Sequence, residues 1–113
     1  MKRYTSLWTT AWTIWALLVC GSTTTHVAAQ AIGQPSRGLA VGERLCAQCH
    51  AVRKGESQSP NASAPPFQVI AAVPGMTTIA LTAALNTPHR EMPNVMLEPQ
   101  ERADLIAYIL NLK

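Results

Sequence analysis

Four of the six aromatic residues in this 113-residue chain, Tyr4, Trp8, Trp12 and Trp15, fall within its first fifteen positions. Everything after them has only Phe67 and Tyr108 from which to build an aromatic core. The chain is still apolar enough to fold. With 48% hydrophobic and 13% charged residues, it is neither a disordered polyelectrolyte nor a coiled coil, and its length allows one small domain at most. Domains of this size are commonly held by a disulfide, a metal or another covalent staple. A core so poor in rings needs bulk from another source.

The aromatic-rich end reads as an export signal. Lys2 and Arg3 give a short positive end, residues 7–19 are apolar and uncharged, and a polar run follows that ends in small residues. Cleavage after Ala31 uses Ala29-Gln30-Ala31, small at both key positions, whereas cleavage after Ala29 places Val27 at one of them. Cleavage after Ala31 divides the chain into a signal, residues 1–31, and a mature domain, residues 32–113. Thirteen apolar residues fall short of the roughly 20 that a membrane-spanning helix needs, so the mature domain is expected free in the periplasm; an uncleaved signal would leave it anchored. Lipidation at Cys20 is disfavoured by the bulk of Val19. Without Lys2 and Arg3, the remaining 82 residues hold seven basic and six acidic groups, a net charge of +1. The basic face that a nucleic-acid partner requires is missing.

The mature segment keeps two cysteines, in the string Cys46-Ala47-Gln48-Cys49-His50. A thioredoxin-like redox pair heads a helix after a strand, yet the residues before Cys46 look helical. A zinc site needs four ligands, and beyond this string only His89 and the acids are left. The remaining reading is covalent haem attachment through C-x-x-C-H. Two sulfurs on one turn of backbone can reach the two vinyl groups of a porphyrin, and the next residue is then turned beneath the iron. His50 would be the proximal ligand. A covalently held haem would also supply the flat apolar body that the core lacks.

Nothing along the chain alternates as a strand does, so the expected fold is all-α, three to four helices with loops around one haem. Ser36 is a candidate N-cap for a helix running to about Cys46, with Leu39, Ala40 and Leu45 as its apolar residues. Gly38 and Gly42 are poor helix formers but share a face that another helix could approach closely. Residues 53–66 are rich in Gly, Ser, Asn and Pro and read as a loop. Asn61-Ala62-Ser63, though it matches a glycosylation acceptor, is read as an ordinary loop triplet. Residues 67–73 form a short apolar helix or turn, broken by Pro74-Gly75. Thr77 can cap a helix over residues 78–86, with Ile79, Leu81, Ala84 and Leu85 on its apolar side and Met76 and Leu81 as a hydrophobic staple. Pro88 and Pro93 hold residues 87–97 extended. In the last helix, Glu98 is the N-cap, Pro99 takes N1 and Glu101 takes N3. Leu105, Tyr108, Ile109 and Leu112 then give it one apolar face.

A haem held by His50 has a second face, for which Met76, Met92, Met96 and His89 are candidates. Methionine in a small protein is usually a core filler. Met92, next to Pro93 in a stretch that cannot be helical, is favoured; Met96 is the main competitor, then His89, whose ligation would lower the potential. Gly38, the string Cys46 to His50, Ala64-Pro65-Pro66-Phe67, His89-Arg90-Glu91-Met92-Pro93 and Tyr108-Ile109-Leu110 together resemble a bacterial class I monohaem cytochrome c of the His/Met type, over about residues 38–112.

The resemblance implies that the first and last helices cross with Gly38 and Gly42 against Leu105 and Tyr108, although family members usually carry a bulkier residue where Gly42 stands. It also implies that the carbonyl of Pro65, or of Pro66 if the loop is shifted by one, accepts a hydrogen bond from the free ring nitrogen of His50, and that Met92 is the distal ligand. With both faces of the iron taken, the implied role is a one-electron shuttle of positive potential between redox partner proteins, not an enzyme. Partners would meet the haem edge near Cys46 and Cys49, with Arg53, Lys54 and Arg90 as rim charges. Two alternatives stay open, a haem-based sensor with a displaceable distal ligand and a dedicated cytochrome subunit of a periplasmic dehydrogenase.

Overall fold

The computed structural model describes residues 32–88 and 91–113; the expected signal segment, His89 and Arg90 lie outside the described residues. Four helices follow one another, α1 (Pro35–Leu45), α2 (Phe67–Ala72), α3 (Thr78–Asn86) and α4 (Pro99–Leu110), and among the described residues there is no strand. The expected all-α fold is the one found.

The frame is the crossing of α1 and α4. A Cβ on Gly38 would lie 2.0 Å from the Asp104 carbonyl oxygen and 2.6 Å from Tyr108 Cβ, so the two backbones touch at a point where no other residue fits. One turn on, a Cβ on Gly42 would meet Phe67, Leu105 and Val52 at ordinary to tight van der Waals distances of 3.2–3.8 Å. A third glycine extends the contact. A Cβ on Gly33 would fall 2.0 Å from the Ala103 carbonyl oxygen, a role that no local sequence pattern signals.

Helix α1 begins two residues before the expected start. Gln34, not Ser36, is the N-cap, and Pro35 takes N1, where its fixed φ suits a helix and its missing N–H costs nothing. The Gln34 N–H donates to Asp104 Oδ1 at 2.7 Å, and Gln100 Nε2 donates to the same oxygen at 2.9 Å. Asp104 is therefore a buried carboxylate, 3% exposed, that ties the start of α1 to α4. Those hydrogen bonds, the Gln34 N–H first, hold its carboxyl below the usual carboxylate range. The glycines also decide which face of α1 is buried. Val41 packs inward and Ala40 is exposed, while Leu39 and Leu45 are half-buried.

The α4 face is buried as its spacing predicts, with Leu105, Tyr108, Ile109 and Leu112 all at or below 8% exposure, joined by Ile106. Glu101 reaches back to the Glu98 N–H at 3.2 Å. In α3 the Thr77 hydroxyl accepts the Ala80 N–H at 3.2 Å, as a cap should. Leu81 is buried with Met76 packed beside the same core, but Ile79 is 82% exposed and Ala84 faces solvent. Only one edge of this nine-residue helix is covered, so four apolar positions cannot all be inside. Two surface ion pairs, Arg44–Glu101 and Arg53–Glu43, add little at roughly 0–1 kcal/mol each, against about 1.5–3 kcal/mol for each large apolar side chain in the core.

Gly38→Ala should destabilise the protein by about 1–3 kcal/mol or more, outweighing the gain of up to about 1 kcal/mol in helix propensity, and by more than Gly42→Ala; thermal melts of both variants check this. Asp104→Asn keeps the acceptor oxygen but removes the charge. Because the folded carboxyl titrates below its unfolded value, its stabilisation is complete above the ordinary carboxylate range and is lost as pH falls through the folded value. The melting-temperature deficit of Asp104→Asn should thus be full at pH 7 and shrink in acid.

Candidate haem site

The site is built where α1 ends. The N–H of Cys46 donates to Gly42 O at 2.8 Å, and the N–H groups of Cys49 and His50 both turn back to Cys46 O, at 3.1 and 2.9 Å. Both cysteines and the histidine therefore sit on one tight turn leading directly out of the helix. Both thiols are free and half-buried.

Burial pushes the Cys46 thiol up to about 11, with nearby Arg44 acting weakly the other way. A redox C-x-x-C pair needs the opposite, a depressed thiolate, and normally heads a helix instead of following one. For zinc, no three of His, Cys, Asp and Glu gather among the described residues.

His50 is oriented by the loop that follows it. Its Nδ1 lies 2.7 Å from the carbonyl oxygen of Pro65. A carbonyl can only accept, so Nδ1 carries a proton and Nε2 is the nitrogen left for a ligand role. The Pro66 carbonyl is engaged elsewhere, accepting the N–H groups of Val69 and Ile70 at 3.0 and 3.1 Å inside α2. Phe67, 4% exposed, sets its ring 5.5 Å from the imidazole at 44°, and its N–H donates to Ala51 O at 2.9 Å. One turn of α2 thus fixes both the ring contact and the backbone just past the histidine. The loop itself is ordered by its own polar groups. Asn61 Oδ1 accepts the Ser63 N–H at 2.9 Å, so the Asn61-Ala62-Ser63 triplet is a side-chain-closed turn.

Val52 is locked from the other side. The Tyr108 hydroxyl donates to Val52 O at 2.8 Å across 56 residues of sequence. The apolar periodicity of α4 placed Tyr108 in the core but gave no sign of this bond, because a partner so far along the chain has no local signature.

Of the methionines, Met92 is half-buried in the non-helical segment between α3 and α4. Met96 is 85% exposed, and Met76 packs against the hydrophobic core. Of the expected rim charges, Arg53 is turned to Glu43, with Nε 2.7 Å from Oε1, and Lys54 is exposed.

Two thiols on one turn and an imidazole whose Nδ1 is held by Pro65, beside a core against which half-buried Leu45, Ala47, Ile70 and Val95 pack, are a donor set suited to a covalently attached haem. They define a small all-α haem protein. The sequence model of the family described as Cytochrome c matches residues 36–113, from the first turn of α1 through α4, and the chain belongs to that family. No curated protein and no solved structure matches it. As a c-type cytochrome it binds haem c with its iron covalently and is an electron-transfer protein working with redox partners.

Tyr108→Phe should cost about 1–3 kcal/mol of stability by leaving the buried Val52 carbonyl unpaired, measurable by denaturant unfolding.

Proposed function

We propose that this cytochrome is a periplasmic one-electron carrier of the bacterial class I type, holding one haem through Cys46 and Cys49, with His50 and Met92 as the iron's two ligands. The haem supplies a one-electron couple between Fe(II) and Fe(III). The chain's own residues decide that it does nothing else. His50 would hold the iron through Nε2, with Pro65 fixing its ring, and Met92 would supply the second ligand, which would leave no position for a substrate.

The observation that carries this reading is the contrast between the two methionines of the segment before α4. Met92 is half-buried, while Met96, at 85% exposure, lies in solvent. A thioether ligand must leave water to reach an iron inside the fold, and only Met92 has done so. Thioether ligation and burial both disfavour the extra charge of Fe(III), which gives a positive reduction potential.

Residues 1–31 are the export signal in this reading, cut after Ala31. Among the described residues no helix is long and apolar enough to cross a membrane. Partner proteins dock near Cys46 and Cys49, with Lys54 and Arg90 as rim charges and Arg53 paired with Glu43.

The purified haem-loaded protein should show low-spin ferric haem with a methionine charge-transfer band. Met92→Ala should abolish that band and Met96→Ala retain it. High-spin iron that binds carbon monoxide readily in the unaltered protein would sink the carrier reading in favour of a sensor.

A further inference from the structure

His50 has a neighbour on each side, and the loop that follows holds both. Ser59 Oγ accepts the Ala51 N–H at 2.9 Å, and the Asn61 N–H donates to Cys49 O at 3.1 Å. Ala51 is 3% exposed, so its N–H has no recourse to water, and its carbonyl is already engaged by the Phe67 N–H. From Asn61 the chain is turned onward by two bonds, Ser63 N–H to Asn61 Oδ1 at 2.9 Å and Ala64 N–H to Asn61 O at 3.0 Å. The next residue, Pro65, presents its carbonyl to His50 Nδ1 at 2.7 Å. Of the bonds that join this loop to the neighbours of His50, the Asn61 bond is backbone to backbone and survives most substitutions. The Ser59 bond is made by a side chain.

We propose that Ser59 is a positioning residue for His50. By fastening the loop to Ala51 it holds the Pro65 carbonyl on Nδ1, and through that bond it sets the orientation and basicity of the ring and hence the reduction potential of the iron. The proposal rests on the reading in which His50 is an iron ligand. An imidazole that donates firmly from Nδ1 is a stronger base at Nε2. A stronger base favours Fe(III) over Fe(II), which lowers the potential. Without the Ser59 hydroxyl, the buried Ala51 N–H has no acceptor, a strained arrangement that relaxes by movement of the loop. Pro65 ends that loop, so its carbonyl moves too, and the ring is held less firmly.

The test compares haem-loaded wild type, Ser59→Ala and Ser59→Thr by redox titration and by nuclear magnetic resonance of the His50 Nδ1 proton. Ser59→Ala should raise the potential and speed solvent exchange of that proton, while Ser59→Thr, which keeps a hydroxyl, should return both to the wild-type values. An unchanged potential and exchange rate in Ser59→Ala, with only a lower melting temperature, would overturn the proposal and leave Ser59 as a loop latch. A wild-type spectrum lacking any haem-shifted His50 ring proton would instead overturn the ligand assignment itself, and the proposal with it. If Ser59→Ala yields no haem-loaded protein, Ser59→Gly, which removes the same hydroxyl from Ala51, replaces it with the same expected and overturning results.

Discussion

The contact of α1 with α4 at Gly38 is the constraint on which the other elements depend. With the Asp104 carbonyl oxygen 2.0 Å from where a Cβ would stand, the two helices meet backbone to backbone, closer than any side chain permits. That closeness brings Gly42 within reach of Leu105 and Phe67, and it allows Asp104 to meet the Gln34 N–H. Because the Cys46–His50 turn leaves α1 without an intervening linker, its position follows from the same crossing. A domain with two aromatic rings does not need a large core here; it needs two helices close enough to act as one support.

The loop after His50 answers a different need. The His50 ring is kept from rotating, and a turn of five residues cannot do that alone. The chain therefore comes back past it three times, through Ser59, Asn61 and Pro65, and then enters α2 with Phe67 against the imidazole. Gly, Ser, Asn and Pro in this stretch are a composition usually associated with mobility. Here the short polar side chains close local turns, and the Pro65 and Pro66 carbonyls accept from the His50 ring and from the first turn of α2, so the segment is specific because it is irregular.

Much of this was legible in the residues. The C-x-x-C-H string, the 3.6-residue periodicity of α4, the Thr77 cap and the Gly38–Gly42 spacing are local patterns, and each is found where it was expected. What escaped was tertiary. Asp104 reads as an exposed helix carboxylate until the Gln34 N–H is brought to it from 70 residues away. Pro35 looked like part of a leader because Ser36 is the better cap by side chain, yet a proline at N1 with its preceding residue tied to α4 is the stronger start. Ile79 fits an apolar stripe by spacing and points outward because nothing packs on that side of α3. Gly33 carries no pattern at all, and its importance comes wholly from the Ala103 carbonyl beside it.

The pairing of Gln34 with Asp104 also fixes an order of events. It closes a loop of 70 residues, and closing so long a loop carries an entropy cost that no local bond offsets. Helix α1 and the thiols at its end are synthesised long before α4, the helix whose backbone α1 touches. Until then the Cys46–Cys49 turn lacks the support of that crossing. The support beneath the two half-buried thiols is thus completed only once α4 has been made.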